Sequence, residues 1–478
     1  MSAFTPTPAQ TGQERGYRYR WMVMAVVIVA DVMDLLDATI ANLAGPSIRA
    51  DLGGSESTLQ WVLAAYTMSF AIGLVVSARA GDLVGRRRMF IIGMAGFTLA
   101  SLLCGLAPTA GLLIAARVLQ GLFGAVMIPQ GLAMVKQSFH PDDLQKAFIP
   151  FGPIMGLAAV LGPILAGVLL DADLFGTGWR MIFLINVPVG LLGLALSIRY
   201  LPETERNTAV RLDVLGAVLL AAASALLIYP LVQGRELGWP AWCYLMMAAS
   251  ALVFAAFVAN ERRSAHPVIE RSLFRNRGFV GGLIFLGTFF VAMNGVMLTV
   301  NLFIQVGLGF SPLHTGYAMT PLALGLAVGA AVSGAALGPR FGRTVLHGGL
   351  LVVGLGMVGL WWTVGHAGPP ISGWDLAPAL FVAGLGSGAI FAPLFDIILA
   401  DLGDHEVGSG SGLLNAVQQF SGALGVAVIG TLLFQWLPDG GWYDATRAII
   451  WVSIACYAAA FLTVFLLPKH AREGAELA

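Results

Sequence analysis

Three aspartates repeat at every third residue inside an apolar stretch near the start of the chain. Asp31, Asp34 and Asp37 lie between about Trp21 and Ala44, a run long enough to cross a bilayer as one helix. On a helix this spacing turns successive side chains by about 60°, so the three carboxylates form one stripe. A charge in mid-membrane costs at least about 2.5 kcal/mol, so the stripe should face a protein interior or a wet cavity. Such neighbouring carboxylates should titrate as a coupled set, which suits proton exchange or cation binding.

The whole chain has the composition of an integral membrane protein. Of its 478 residues, 58% are hydrophobic and 11% are charged, whereas soluble domains contain about 25% charged residues. The formal net charge is zero, and the basic residues lie between apolar runs, so nothing favours a nucleic-acid partner. Cys104, Cys243 and Cys456 lie far apart in or beside apolar segments, which favours buried thiols over a disulfide or a metal site.

Apolar segments recur along the chain and predict about fourteen transmembrane helices. Twenty Lys and Arg residues fall in the segments that a cytoplasmic N terminus would place inside, and four fall in external loops. This asymmetry predicts that both termini are cytoplasmic. The predicted helices begin near Trp21, Leu59, Met89, Ala110, Ile149, Met181, Asp213, Ala241, Phe279, Thr315, Leu346, Asp375, Gly408 and Thr446.

A weak internal repeat divides these helices into two groups. RAGDLVGRRR after the second span and LGPRFGRTV after the tenth are both Gly/Arg turns that follow a helix rich in small residues, as in a duplicated transporter. The sequence therefore predicts five parts: a cytoplasmic tail (1–20), an N-terminal six-helix half (21–201), a linker with two additional helices (202–278), a C-terminal six-helix half (279–467) and a second cytoplasmic tail (468–478).

Several motifs resemble those of the major facilitator superfamily. GDLVGRRR (81–88) is similar to its loop motif, RVLQGLFGA (117–125) to its fourth-helix motif and GPILAG (162–167) to its fifth-helix antiporter motif. The resemblance covers nearly the whole chain and implies an all-α major facilitator fold, with two six-helix halves, two additional helices and a substrate site between the halves. Three further segments resemble the fourteen-span drug:proton antiporters of this superfamily: LDATIANLAGPSI (36–48), QWVLAAY (60–66) and WRMIFLINVPVG (179–190).

The resemblance also implies roles for single residues. Asp37 matches the family's first-helix motif, where it would exchange a proton or pair with a cationic substrate, and Asp34 and Asp31 continue its stripe. Arg117 lies seven residues into the fourth span, and because a guanidinium keeps its proton it needs a partner or water. In this family the position is implicated in proton coupling. A structural ion pair with a carboxylate of the first span is the alternative, and such a pair would itself be a coupling element.

The loop motif predicts a latch between neighbouring helices. Gly81 and Asp82 end the second span, and Gly85, Arg86 and Arg87 follow. A carboxylate beside a tight turn and guanidinium groups can form charge-assisted bonds that hold helices in one conformation. Anchoring by positive charge on the cytoplasmic side is the alternative.

The fifth span predicts a close helix contact. Gly162, Pro163 and Gly167 give it a smooth, kinked face. Such a face suits close sliding against the opposite half, and the resemblance implies that it serves antiport. Ordinary packing of small residues is the alternative.

Other polar residues within the spans are candidates for a substrate pathway, although each alone is more often an interhelical hydrogen bond. The histidines show no metal-ligand spacing, and the sequence contains no P-loop, serine nucleophile elbow or HExxH motif, so it predicts no metal, no cofactor and no enzymatic activity. The candidate cavity residues are Asn42, Tyr66, Gln120, Asn294, Asn301, Gln305, Asp396, Asn415 and Gln418.

Together with the resemblance, these features predict proton-driven export of small amphipathic, cationic compounds by alternating access. The transporter would work as a monomer in a bacterial-type cytoplasmic membrane, with the proton gradient as its energy source. Three alternatives stay open: a dedicated exporter of an endogenous metabolite or antibiotic, a facilitator for lipids or polymer precursors, and a non-transporting membrane enzyme or sensor.

Overall fold

The chain folds into long α-helices, as its apolar segments predict. A computed structural model describes residues 17–140, 143, 151–204, 213–263, 270–366 and 371–469, and within these ranges it contains helices and turns but no β-strand. The predicted tails lie largely outside the described residues. The first six helices are α1 (Arg20–Leu52), α2 (Glu56–Val84), α3 (Arg86–Gly105), α4 (Ala110–Ser138), α5 (Phe151–Asp171) and α6 (Gly178–Tyr200).

The remaining helices follow in two sets. The last helical range, Asp404–Thr463, is interrupted at Gly441, whose φ of 66° and ψ of −173° are not helical. Since a positive φ favours glycine, this residue divides the range into α13 (404–440) and α14 (442–463). The preceding helices are α7 (Val214–Gln233), α8 (Ala241–Arg263), α9 (Arg277–Leu302), α10 (Pro312–Val332), α11 (Thr344–His366) and α12 (Gly373–Ile398).

Length and apolar composition make most of these helices suitable for crossing a membrane. Ten described helical segments meet this description, with 409–466 counted as one, and neither α1, which carries the three aspartates, nor α2 is among the ten. The count of fourteen crossings and the cytoplasmic placement of both termini therefore stay predictions. The domain boundaries also stay predictions, and two of the loops beside them, 205–212 and 264–269, lie outside the described residues.

Helices α1–α6 and α9–α14 form two packed groups. In the first, α4 packs against α2 and α3; in the second, α10 packs against α12 and α9 packs against the 404–463 range. Each group has its own buried apolar core, and a further core is shared, because Leu59 and Leu63 of α2 pack with Ala423, Leu433 and their neighbours on α13. Burial of apolar surface thus joins the two groups as well as holding each together.

The two groups meet along two helix pairs. Between α2 and α13, the Gln60 amide donates to the Val426 carbonyl over 3.1 Å. Between α5 and α10, the backbones approach so closely that a Cβ at Gly167 would lie 2.5 Å from the Cα of Leu313, and a Cβ at Gly316 would lie 2.4 Å from the Pro163 carbonyl oxygen. The small-residue face of α5 therefore packs against the opposite half, while its sliding during transport stays a prediction.

Gly167→Ala is expected to lower the free energy of unfolding by about 1–3 kcal/mol and to slow transport, because the new methyl group would push α5 away from the α10 backbone. The measurement is thermal unfolding in detergent together with transport in proteoliposomes. Gly354→Ala is the matched control, since a Cβ there meets nothing within 4 Å. Equal stability of the two variants would contradict this account of the α5–α10 contact.

Helices α7 and α8 pack against each other, and α7 with the loop that follows it docks on both halves. We call the end of the bundle where α1 ends and α2 begins the Asp51 end. There Arg235 pairs with Glu56 of α2, and the Glu236 carboxylate accepts hydrogen bonds from the amide and hydroxyl of Ser57, each over 2.9 Å. Thr431 of α13 donates to the Leu231 carbonyl of α7 over 2.6 Å. The additional helices are therefore attached to α2 and to α13.

Candidate functional site

A fully buried arginine forms the centre of the candidate site. Arg117 on α4 is 1% exposed, and its guanidinium pairs with the Asp37 carboxylate of α1, which is 2% exposed. The same guanidinium donates to the Gln120 side-chain oxygen over 2.8 Å and to the Val62 carbonyl of α2 over 3.1 Å. The cation that the sequence places in an apolar helix thus has an anion and two further acceptors.

The Asp37 carboxylate also accepts hydrogen bonds from two amide side chains. Gln120 donates to it over 2.7 Å and to the Ser101 hydroxyl of α3 over 2.8 Å. Asn186 of α6 donates to the same carboxylate over 3.2 Å. We call Asp37, Ser101, Arg117, Gln120 and Asn186 the Asp37 cluster. Because its members lie on α1, α3, α4 and α6, the cluster links four of the first six helices.

Aromatic rings cover the guanidinium. The Arg117 Cζ lies 4.2 Å from the ring centre of Tyr66 and 5.6 Å from that of Phe183. A cation over an aromatic face is stabilised by about 2 kcal/mol when it is desolvated. Tyr66 also donates its hydroxyl hydrogen bond to the Asp34 carboxylate, so one side chain contacts both the arginine and a second aspartate of the stripe.

The three aspartates therefore have different surroundings. Asp37 is paired with Arg117, and Asp34 is bonded by Tyr66 and lies against Gly124 of α4, where a Cβ would come within 3.3 Å of its oxygen. Asp31 is 6% exposed, and within the described part of the chain neither of its carboxylate oxygens has a hydrogen-bond partner. The stripe faces protein, as its spacing predicts, rather than the surface.

Tyr66→Phe is expected to lower the free energy of unfolding by about 1–3 kcal/mol, because Asp34 loses its hydrogen-bond donor inside a buried site. Tyr66→Leu should lower it further, since the leucine also removes the ring that stacks on Arg117. Thermal unfolding in detergent compares the two variants. Equal unfolding temperatures for wild type and Tyr66→Phe would show that the hydroxyl contributes nothing there.

The loop motif lies at the opposite end of the bundle from Asp51. Arg86 donates to the Asp82 carboxylate over 3.1 Å, and Gly85 between them has a φ of 101°, a conformation that glycine adopts without strain. A Cβ at Gly81 would lie 2.0 Å from the side-chain oxygen of Gln130, so α2 and α4 touch there. Arg87 binds the Ile198 carbonyl of α6 over 2.7 Å. The motif thus lies where the ends of α2, α3 and α6 meet, and its role as a gate latch stays a prediction.

The comparison with known proteins identifies the family. A family model described as Major Facilitator Superfamily matches residues 27–426 of the chain. The chain belongs to the major facilitator superfamily. The family prediction is therefore confirmed, and so are the predictions of a transporter rather than an enzyme and of a bacterial plasma membrane as its location.

The relatives of this superfamily member include proteins named as antibiotic transporters and resistance proteins. A probable actinorhodin transporter of Streptomyces coelicolor is 49% identical over 422 residues, which cover 87% of this chain and 73% of that protein. A puromycin resistance protein of Streptomyces alboniger is 37% identical, covering 86% and 82%. A tetracenomycin C resistance and export protein of Streptomyces glaucescens is 33% identical, covering 92% and 80%.

Solved structures of the superfamily share the fold. A D-xylose–proton symporter matches with a TM-score of 0.66 at 16% identity, covering 94% of this chain and 98% of that one. A peptide transporter solved in complex with sulfate matches with a TM-score of 0.68 at 14% identity, covering 93% and 95%. At such identities the likeness shows the fold alone, and it confirms the predicted major facilitator architecture.

The fifth-span motif also contacts the first helix. A Cβ at Gly162 would lie 2.7 Å from the hydroxyl oxygen of Thr39, two residues beyond Asp37 on α1. Gly162, Pro163 and Gly167 therefore pack α5 between α1 and α10. The fifth-span motif is thus a close contact between the helix that carries the three aspartates and the opposite half.

The predicted cavity residues divide into three groups. Tyr66 and Gln120 contact Arg117, as described above. Gln305, just after α9, donates to the Leu43 carbonyl of α1 over 3.1 Å and so joins the halves. The remaining residues comprise half-buried Asn42, Asn294 and Gln418, buried Asn301, and exposed Asp396 and Asn415.

Sequence reasoning missed two polar members of the site, Asn186 and Ser101. Asn186 lies inside WRMIFLINVPVG, where an amide in an apolar span was the available signal. Ser101 gave no such signal, since serines are common in packed membrane helices. No group of three His, Cys, Asp or Glu residues that could hold a metal occurs among the described residues. The absence of a metal and of a cofactor stays a prediction.

Proposed function

We propose that this chain exports small amphipathic, cationic compounds from the cytoplasm in exchange for protons, by alternating access and as a monomer. The export direction is supported by the relatives, which include antibiotic transporters and resistance proteins. The coupling to protons is supported by one observation above all, the buried ion pair between Asp37 and Arg117.

The ion pair can couple protonation to helix movement. Arg117 cannot lose its charge in a protein. When a proton neutralises Asp37, the buried guanidinium therefore loses its anion, and an unpaired buried charge costs several kcal/mol. This cost can be lowered if the helices that carry the Asp37 cluster, α1, α3, α4 and α6, rearrange around the guanidinium. Proton binding thus favours one conformation and deprotonation the other.

The carboxylates of the acidic stripe support the proposal that the substrate is a cation. Asp34 lies one turn from Asp37 and is linked to Arg117 through the Tyr66 ring and hydroxyl. A cation bound at Asp34 would compete with that hydroxyl and repel the Arg117 guanidinium. By linkage, whatever lowers proton affinity on substrate binding lowers substrate affinity equally on protonation. Substrate and proton would therefore occupy the stripe in alternate half-cycles.

A second candidate function is dedicated export of one natural product. The names of three relatives favour it, since they refer to single antibiotics, actinorhodin, puromycin and tetracenomycin C, whereas a multidrug resistance protein of Mycobacterium tuberculosis, 32% identical, favours the first function. The two functions differ in substrate range and share the same proton site.

The test follows proton flux and substrate flux in proteoliposomes under an imposed pH gradient, with ethidium, puromycin and tetracenomycin C as probes. Wild-type protein is expected to exchange at least ethidium for protons, and Asp37→Asn is expected to uncouple the two fluxes. Transport of tetracenomycin C alone would favour the dedicated exporter. Transport of an anionic compound at the full rate would contradict cation selectivity, and substrate flux that ignores the pH gradient would contradict antiport.

A further inference from the structure

Of the three aspartates, Asp31 takes no part in the hydrogen bonds around Arg117 and Tyr66. Asp37 has Arg117, Gln120 and Asn186 as hydrogen-bond donors, and Asp34 has Tyr66. Asp31 is 6% exposed, close to Asp37 at 2% and more buried than the half-buried Asp34, yet neither of its carboxylate oxygens has a hydrogen-bond partner among the described residues. A buried carboxylate in this condition needs an explanation, because most buried polar side chains in proteins are bonded.

Among the residues that the structure describes, no cation lies beside Asp31. On α1 it shares a face with Val27 and Asp34, which lie against Gly131 and Gly124 of α4, so Asp31 faces α4 between these two glycines. The charge that acts on it there is that of Asp34, one turn along the same helix. Like charges at this spacing repel each other.

The helices packed against α1 carry few ionisable groups at this level. On α4, Arg117 is engaged by Asp37, and Lys136 is exposed near the helix end. Helix α5 has no ionisable residue between Phe151 and its last residue, Asp171, and α6 has none between Arg180 and Arg199. On α2 the ionisable residue near the stripe is Tyr66, which is bonded to Asp34.

An ionised carboxylate in such a place would be very unfavourable. Burial of an isolated charge costs several kcal/mol, and in practice the group takes up a proton instead. We propose that Asp31 is a second proton-binding site, separate from the Asp37 cluster, and that the transporter therefore moves two protons for each substrate molecule. This inference rests on the proposed antiport and deepens it.

The position of Asp31 fits such a role. It lies six residues before Asp37, which is about 9 Å along α1 towards the end predicted to be cytoplasmic. A proton from the external side binds one carboxylate oxygen of Asp31 and neutralises it. In the conformation open to the cytoplasm, water hydrates the carboxylate and takes the proton, which restores the anion. Each cycle thus returns Asp31 to its starting charge.

The number of protons per substrate can be measured directly. In proteoliposomes with the membrane potential clamped at zero by valinomycin and equal potassium, the ethidium ratio at zero net flux depends on that number. Wild type is expected to change this ratio about 100-fold per unit of pH difference, as two protons require, since each proton contributes a factor of about 10. Asp31→Asn is expected to change it about 10-fold, and Asp31→Glu is expected to restore the 100-fold dependence.

The outcomes separate this inference from the proposed function. A 10-fold dependence in the wild type, or a 100-fold dependence in Asp31→Asn, would overturn the second site while antiport stands. A relay role for Asp31 would slow the Asn variant without changing the ratio, which also overturns the proposal. If the wild-type ratio ignores the pH gradient, the antiport itself fails.

A second measurement works without transport, in case Asp31→Asn folds but does not move ethidium. Infrared spectra of the purified protein at neutral pH should contain a carbonyl band from a protonated carboxyl group, and this band should be absent in Asp31→Asn. In Asp31→Glu the band should return at a shifted frequency. An unchanged band in Asp31→Asn would show that Asp31 does not hold the proton.

Discussion

Asp37→Asn is expected to abolish pH-gradient-driven transport and to lower the free energy of unfolding by about 3–5 kcal/mol, because it leaves Arg117 charged, buried and without its anion. The Gln120 and Asn186 amides can still bond the new side chain, but neither carries the negative charge that the guanidinium requires. The measurements are proton flux in proteoliposomes and unfolding in detergent.

Asp51→Asn is the matched control for this substitution, since it makes the same change on the same helix. Asp51 lies near the end of α1, about half exposed, and accepts hydrogen bonds from the Trp179 indole over 2.9 Å and from Arg180 over 2.6 Å. These bonds lower the pKa of Asp51, with Trp179 the larger cause. An exposed ion pair contributes about 1 kcal/mol or less, so this variant should transport normally. Gradient-driven transport by Asp37→Asn at the wild-type rate would remove Asp37 from the mechanism.

Arg117→Ala is expected to fold and bind substrate yet to lose gradient-driven transport. Its loss of stability should be smaller than that of Asp37→Asn, because Asp37 keeps the Gln120 and Asn186 donors and can neutralise its charge by binding a proton. The asymmetry follows from chemistry: a carboxylate can discharge itself in a buried site, whereas a guanidinium cannot.

The double variant Asp37→Asn/Arg117→Ala separates stability from coupling. Removing both charges should recover much of the stability lost in Asp37→Asn, since no unpaired ion remains in the interior. Transport should stay uncoupled from the pH gradient, because the proton-binding carboxylate is gone. Equilibrium substrate binding and thermal unfolding, measured for the two single variants and the double variant, complete the cycle. Normal transport by Arg117→Ala would contradict the coupling role of the ion pair.

Helix positions were predictable because they depend on apolar length. Each predicted start that lies among the described residues falls within four residues of the first residue of a helix, from Trp21 beside Arg20 to Thr446 beside position 442, whereas Ile149 lies outside the described residues. A run of about 20 apolar residues is long enough to cross a bilayer as a helix, and packing against neighbouring helices hardly alters where that helix begins. The fold class followed from the same runs together with the motifs.

The sequence indicated that a carboxylate of the first span could pair with Arg117, but not which of the three. A buried guanidinium needs an anion, and the stripe on α1 offered three. The choice of Asp37 over Asp34 depends on how α1 and α4 are rotated and shifted against each other, which packing determines and spacing along one helix does not. For the same reason the bond from Asn186 and the orphaned state of Asp31 could be seen only in three dimensions.

The candidate cavity was the least predictable part. Asn294 and Asn415 were selected as polar residues in apolar spans, but each donates to a backbone carbonyl four residues back in its own helix, over 3.0 Å and 2.9 Å. A polar residue in a membrane helix satisfies its donors locally as readily as it lines a pathway. The sequence therefore indicates which positions are polar, but not whether their side chains face a pathway or bond within their own helix.

The attachment of α7 to both halves affects how far the two halves can move apart during transport. Glu56 and Ser57 hold the loop after α7 to α2, while Thr431 holds the end of α7 to α13, all near the Asp51 end. Any separation of α2 from α13 at that end must either carry α7 with one partner or break its bonds to the other. We therefore expect the two predicted additional helices to limit how far α2 and α13 can separate at this end of the protein.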